Sequence, residues 1–147
     1  DKRDRISEAI EVYKRVIVLA PNSPLAHLNL GHDYYVLKDR VRAREEFSRA
    51  LALNPHYALA LFNMGVIENE EGNIEEARQY YRSALREDPT FANACLNLAL
   101  INANEGKIDR AIKRLKEALR LEPNNVHAHE LAAQFVKRGI LKEHELD

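Results

Sequence analysis

Ala43-Arg44-Glu45-Glu46-Phe47 ahead of Pro55, and Ala77-Arg78-Gln79-Tyr80-Tyr81 ahead of Pro89, are one pattern written twice, 34 residues apart. The same pattern stands as Ala9-Ile10-Glu11-Val12-Tyr13 before Pro21 and as Ala111-Ile112-Lys113-Arg114-Leu115 before Pro123. In every copy a small residue is followed four residues later by a large apolar one, which puts both on one helical face. Each amphipathic segment is closed by its proline, which lacks the N–H a helix needs and disfavours helix at the residue before it. A fixed period of this kind marks a repeat architecture, in which units bury their apolar faces against their neighbours.

Small residues keep register with the prolines. Gly31, Gly65 and Ala99 lie ten residues after a proline; Ala50, Ala84 and Ala118 lie five before the next. Side chains of that size let two helices approach closely. Gly72 and Gly106 fall between paired helical segments, where a left-handed cap is wanted. Pro24 opens a helix at its first turn. No glycine is left over for a phosphate-binding loop.

Composition sets the outer bounds. Of 147 residues, 46% are hydrophobic and 31% charged, which suits a folded domain and argues against disorder. A net charge of -1 gives no general push toward nucleic acid or anionic lipid. No apolar run approaches the roughly 18 residues needed to cross a bilayer. The single cysteine, Cys95, rules out an internal disulfide framework and fits a reducing compartment such as the cytoplasm. The chain opens on Asp1 rather than Met, which reads as a segment of a longer protein.

With Leu30-Gly31, Tyr34, Ala43, Phe47, Ala50 and Pro55 in place, the chain resembles the tetratricopeptide repeat family. The next copy runs Met64-Gly65, Ala77, Tyr81, Ala84, Pro89, and the third Leu98-Ala99, Ala111, Leu115, Ala118, Pro123. Departures are confined to a few positions. The family's early tryptophan is His27, Leu61 and Cys95; its later tyrosine becomes Glu68 and Asn102; Lys38-Asp39 replaces the first inter-helix glycine. The resemblance implies an all-α fold, a right-handed superhelical stack of antiparallel helix hairpins. It divides the single array into 1–23 (the second helix of a truncated repeat), repeats at 24–57, 58–91 and 92–125, and a partial closing repeat at 126–147. The expected helices are 5–19, the hairpins 24–53, 58–87 and 92–121, and a closing helix 126–138. In that last unit His144 takes the place of the small alanine, so a normal second helix is not expected there.

In such a stack the first helix of each hairpin lines a concave groove, and the resemblance implies which register faces it. Asn29, Asn63 and Asn97 occupy one groove register; Leu28, Phe62 and Leu96 precede them; His32, Val66 and Leu100 lie one turn on. An amide offers both a donor and an acceptor, so a row of them suits the backbone of an extended peptide whatever its sequence. The apolar row suits the peptide's side chains. Val36, Glu70 and Asn104 lie further along, and Glu130 takes the asparagine register of the shortened unit. The groove register holds no lysine or arginine to grip a terminal carboxylate, whose burial without a cation is costly.

Catalytic chemistry has no constellation here. His127 and His129 are two apart on a helix and lack a set of further ligands for a metal. Cys95 falls on a packing face and reads as a buried structural thiol. Glu68, Glu70, Glu71, Glu75 and Glu76 read as helix-end and solvated charge, and Arg40, Arg42, Arg44, Lys113, Arg114, Lys116 and Arg120 as basic patches on an outer face. Without interleaved aromatics those patches do not suggest RNA. The expected function is a protein–protein interaction scaffold, non-enzymatic and cofactor-free, that binds a peptide or partner helix in its groove. A self-associating module is one alternative, since the first helix carries an apolar face of Ile6, Ile10, Tyr13 and Ile17. The other is the recognition arm of a larger enzyme such as a glycosyltransferase. Circular dichroism checks the premise: the spectrum is expected to be dominated by helix, and a strand-dominated one would remove the basis for every assignment above.

Overall fold

The computed structural model describes residues 1–142 and residue 145. Eight α-helices and no strand lie among them: α1 (Lys2–Leu19), α2 (Pro24–Val36), α3 (Arg40–Leu53), α4 (Ala58–Glu70), α5 (Ile74–Glu87), α6 (Ala92–Asn104), α7 (Ile108–Leu121) and α8 (Val126–Lys137). α1 starts three residues ahead of its expected position, because Asp1 and Asp4 form a capping box that extends the helix to Lys2. The chain divides within α5 into two compact units, Asp1–Ala77 and Arg78–Asp147. His144 lies outside the described residues.

The prolines act on both sides of themselves. Ahead of them, Ala20, Asn54 and Glu122 leave the helical region, with φ of -136°, -140° and -135°. Their N–H groups still close the last helical turn onto the carbonyls of Val16, Ala50 and Ala118. Behind, each proline takes the second position of a β-turn, where its fixed φ is already correct. Tyr57 N–H donates to the Asn54 carbonyl at 3.2 Å, Phe91 to Asp88 at 3.2 Å and Asn125 to Glu122 at 3.0 Å.

Turns inside the hairpins follow a second recipe. After α2, α4, α6 and α8 the chain passes through a left-handed residue: Lys38 (φ +67°), Gly72 (+83°), Gly106 (+75°) and Gly139 (+72°). Around Gly72, the Asn73 N–H reaches back to the Glu68 carbonyl and the Gly72 N–H to that of Asn69, the paired bonds of a Schellman cap. The same two bonds recur as Asp39 to Tyr34 and Lys38 to Tyr35. Lys38 thus holds the glycine geometry with a side chain that disfavours it.

In the first unit α1 packs on α2, α2 on α3 and α3 on α4. Ile10 of α1 is buried and Ile6, Tyr13 and Ile17 are half-buried, so the apolar face of α1 is largely covered. The large hydrophobics of α1 that do face solvent are Val12, Val16, Val18 and Leu19. α2 comes close to α3 at Gly31: a Cβ there would sit 2.7 Å from the Phe47 ring and 3.2 Å from the Ala43 carbonyl. Phe47 is only 1% exposed, so making room for a methyl would require its buried ring to shift. In the second unit α6 pairs with α7, and α8 packs on both. Cys95, Ala99, Leu115, Ala118 and Phe135 lie at the centre of that core.

An arginine latch repeats with the period. Arg44 of α3 bonds Glu68 and Glu71 at the end of α4, the second at 2.5 Å. At the matching position Arg78 of α5 bonds Asn102 at 3.4 Å and also Glu105, at the end of α6. The next copies of the arginine and its first partner are Ile112, packed against the apolar core, and Phe135, fully buried within it. Glu68, expected among the solvated carboxylates, is buried, because Arg44 and the Asn73 amide satisfy it. Two substitutions separate these effects. Gly31→Ala is expected to cost about 1–3 kcal/mol by forcing a methyl into the Phe47 ring. Lys38→Gly is expected to add about 1 kcal/mol by relieving a left-handed L-residue. Denaturant midpoints check both, and a neutral Gly31→Ala would show that the close approach is not limiting.

Candidate functional site

On α4, Phe62 and Asn63 lie four and three residues ahead of Val66; on α2, His32 and Tyr35 are three apart. These five side chains and Phe47 of α3 line a cavity of about 180 Å³ in the first unit. The missing side chain at Gly31 is what admits the Phe47 ring at that depth. Cavities of about 150 Å³ lined by apolar groups accept a benzene-sized guest, whereas drug-sized ligands need about 300 Å³ or more. The dimensions fit one side chain, with the Asn63 amide beside it as donor and acceptor.

One wall is held by a polar junction. The Tyr35 hydroxyl donates to Glu70 at 2.5 Å, and Arg40 Nε donates to the same carboxylate at 2.8 Å. Burial first, and Glu70 second, push the Tyr35 phenol up to about 12. Partial burial works to raise the Glu70 carboxyl, but the bonds from Tyr35 and Arg40 outweigh it and hold the group below its ordinary value. Tyr35 is therefore a fixed, protonated donor already committed to Glu70.

Of the nine residues read as groove, the structure gathers four around this cavity: His32, Phe62, Asn63 and Val66. Asn29 is half-buried on α2, and Asn97 and Leu100 are half-buried on α6 in the second unit. Leu28 and Leu96, expected in the open apolar row, are 4% and 5% exposed and have little surface to offer. Leu96 belongs to the core formed by α6, α7 and α8. Tyr35 and Phe47 were not among the expected site residues. Tyr35 continues the Leu28–His32 stripe by three residues, so helical spacing alone could have found it; Phe47 enters from a second helix, which spacing along α2 does not reveal.

Other chemistry-bearing groups are accounted for. Arg40, Arg42 and Arg44, expected as a solvated basic patch, are each ion-paired: with Glu70, with Asp39 at 2.6 Å, and with Glu68 and Glu71. Arg42 also lies over the Tyr34 ring, 4.8 Å from its centre. His127 faces Glu130 at 3.3 Å and His129 reaches the Pro123 carbonyl at 2.7 Å. Among the described residues no group of three His, Cys, Asp or Glu is placed to hold a metal. Cys95 is buried, which pushes its thiol up to about 11. Among the described residues no helix is long and apolar enough to cross a membrane.

Comparison with known proteins agrees with the all-helical repeat fold. Family models described as tetratricopeptide repeat match residues 28–90 and 68–135, and one described as TPR repeat matches residues 2–37. The crystal structure of MamA shares 30% identity at a TM-score of 0.71, over 80% of this chain and 69% of that one. A MamA RS-1 ArsTM double mutant superposes at a TM-score of 0.74 with 22% identity, over 93% of this chain and 78% of that one, a likeness of fold. No curated protein matches by sequence.

The polar wall of the cavity makes stability depend on pH. A phenol raised to about 12 in the folded chain stays protonated where the unfolded one, near about 10, has ionised. The stabilisation is whole below about pH 10 and is lost as the pH climbs toward about 12. Thermal melts across that window are expected to fall more steeply for the wild type than for Tyr35→Phe; parallel curves would mean that Tyr35 is not held as described.

Proposed function

Since this chain belongs to the tetratricopeptide repeat family, we propose that it is a protein-interaction scaffold holding one apolar side chain of a polypeptide partner between α2 and α4. The observation that carries the reading is the cavity itself, sized for a single side chain and floored by the Phe47 ring. Phe62 and Val66 supply the apolar contact, and Asn63 bonds the partner's backbone beside the anchor. His32 stands exposed at the rim, where it meets polar groups of the partner. The second unit carries Asn97 and Leu100 in the same register, which supports reading the repeats as 24–57, 58–91 and 92–125. This reading assigns the chain no chemical step.

The energetic weights differ between the two kinds of contact. A hydrogen bond exchanged against water is worth about 1 kcal/mol net. A central aromatic anchor removed from an interface costs about 2 kcal/mol or more. Peptides selected from a random library on the wild-type chain are expected to share one large apolar anchor. Calorimetry with such a peptide is expected to show Asn63→Ala weakening binding a few-fold and Phe62→Ala weakening it by about thirtyfold. Selected peptides indifferent to both substitutions would place the ligand elsewhere on the molecule.

A further inference from the structure

Like charges are stacked where folding alone would separate them. Arg110, Lys113, Arg114 and Glu117 follow at spacings of three and four, a single stripe along α7. Arg78 and Arg82 form a second stripe on α5, and Leu98 and Asn102 a third on α6. The three stripes meet around a cavity of about 580 Å³, lined by these eight residues, five of them cationic and one anionic. Cations three or four residues apart destabilise a helix.

The first unit shows the alternative: on α3, Arg40, Arg42 and Arg44 each have a carboxylate partner. Around the larger cavity only part of the charge is answered. Arg78 is 7% exposed and held by Asn102 and Glu105, and Arg114 reaches Glu117 at 3.3 Å. Arg82, Arg110 and Lys113 make no hydrogen bond or ion pair with any described residue. Three unanswered cations in a recess raise the local potential more than the same charges spread on a flat face.

We propose that this cavity is a docking site for an acidic, extended segment of a polypeptide partner, independent of the cavity between α2 and α4. Guanidinium forks match carboxylates in pairs, and four of the five cations are arginine. Spacing supports an extended chain. Arg78 to Arg82, and Arg110 to Arg114, each advance about 6 Å along a helix axis. Alternate side chains of an extended peptide are about 6.6 Å apart, so acidic residues at every second position meet successive cations. A single-stranded nucleic acid would want aromatic platforms for its bases, and no aromatic side chain lines the cavity. Glu117 repels acid at its end of the α7 stripe, which limits how far the segment slides.

The test uses the full chain and a fluorescent peptide of alternating glutamate and alanine, followed by anisotropy at low and at physiological salt. The wild type is expected to bind it, and the glutamine counterpart is expected not to. Arg82→Gln combined with Lys113→Gln is expected to weaken binding about tenfold or more. Lys116→Gln combined with Lys137→Gln removes the same charge outside the cavity and is expected to change affinity little beyond a salt-sensitive remnant. Equal losses in the two double variants would reduce the effect to net charge and overturn the site. A single-stranded RNA oligomer that binds more tightly than the peptide, and is lost with the cavity variant, would overturn the peptide assignment. Relief of repulsion is expected to raise the melting temperature of the cavity variant. A lower one would mark these cations as structural and also overturn the proposal.

Discussion

At Gly31 the backbone of α2 comes so near the Phe47 ring that a single methyl group would not fit. Most of the first unit's geometry depends on that approach. It lets Phe47 drop between helices, where the ring packs in the hairpin and also floors the α2–α4 cavity. Ala43 and Ala50, on the same face of α3, are fully buried because they take no more room than the approach allows. Interiors packed to crystal-like density turn such size limits into strict sequence requirements. The small-residue register is therefore the constraint, and the proline period is its punctuation.

That division explains what could be read in advance. Small residues, large apolar partners and prolines act locally or at fixed offsets, so the outer ends of each expected hairpin were legible to the residue. Pairings between helices were less so. Nothing in the string marks Glu68 as buried, because its partner Arg44 is 24 residues away on a different helix. Leu28 and Leu96 share Phe62's register, yet they are covered while Phe62 is only half-buried. Register fixes the face of a helix; how deeply a side chain on that face is covered depends on its neighbours. Asp33 makes the same point from the opposite side. Its register mates Ile67 and Ile101 are buried, and Asp33 keeps one carboxylate oxygen buried without a hydrogen-bond partner. Burial pushes that carboxyl above its ordinary value.

Charge is used differently in the two units. In Asp1–Ala77, arginines on α3 are tied to carboxylates of α4 and of the turn before α3, so they hold helices together. In Arg78–Asp147, Arg78 keeps that role, while Arg82, Arg110 and Lys113 line a recess and pair with no described residue. A net charge of -1 for the whole chain conceals this asymmetry, since the acidic residues that balance the sum are elsewhere. On the two proposals, the same repeat carries two recognition chemistries, an apolar socket in one unit and a cationic recess in the other. Both suit a polypeptide, and neither needs the other to be filled.

Cys95 carries a practical consequence. Its sulfur is sealed in the α6–α7–α8 core, and its thiol, raised to about 11, is almost wholly protonated at neutral pH. Alkylating reagents attack the thiolate and need a path to it, so the intact second unit is inert to them. The chain has no other cysteine to compete for the label. Modification therefore proceeds only through moments when the helices part, and its rate is a clock for that opening. The protein holds, at a single native atom, a probe of how often one half of it breathes.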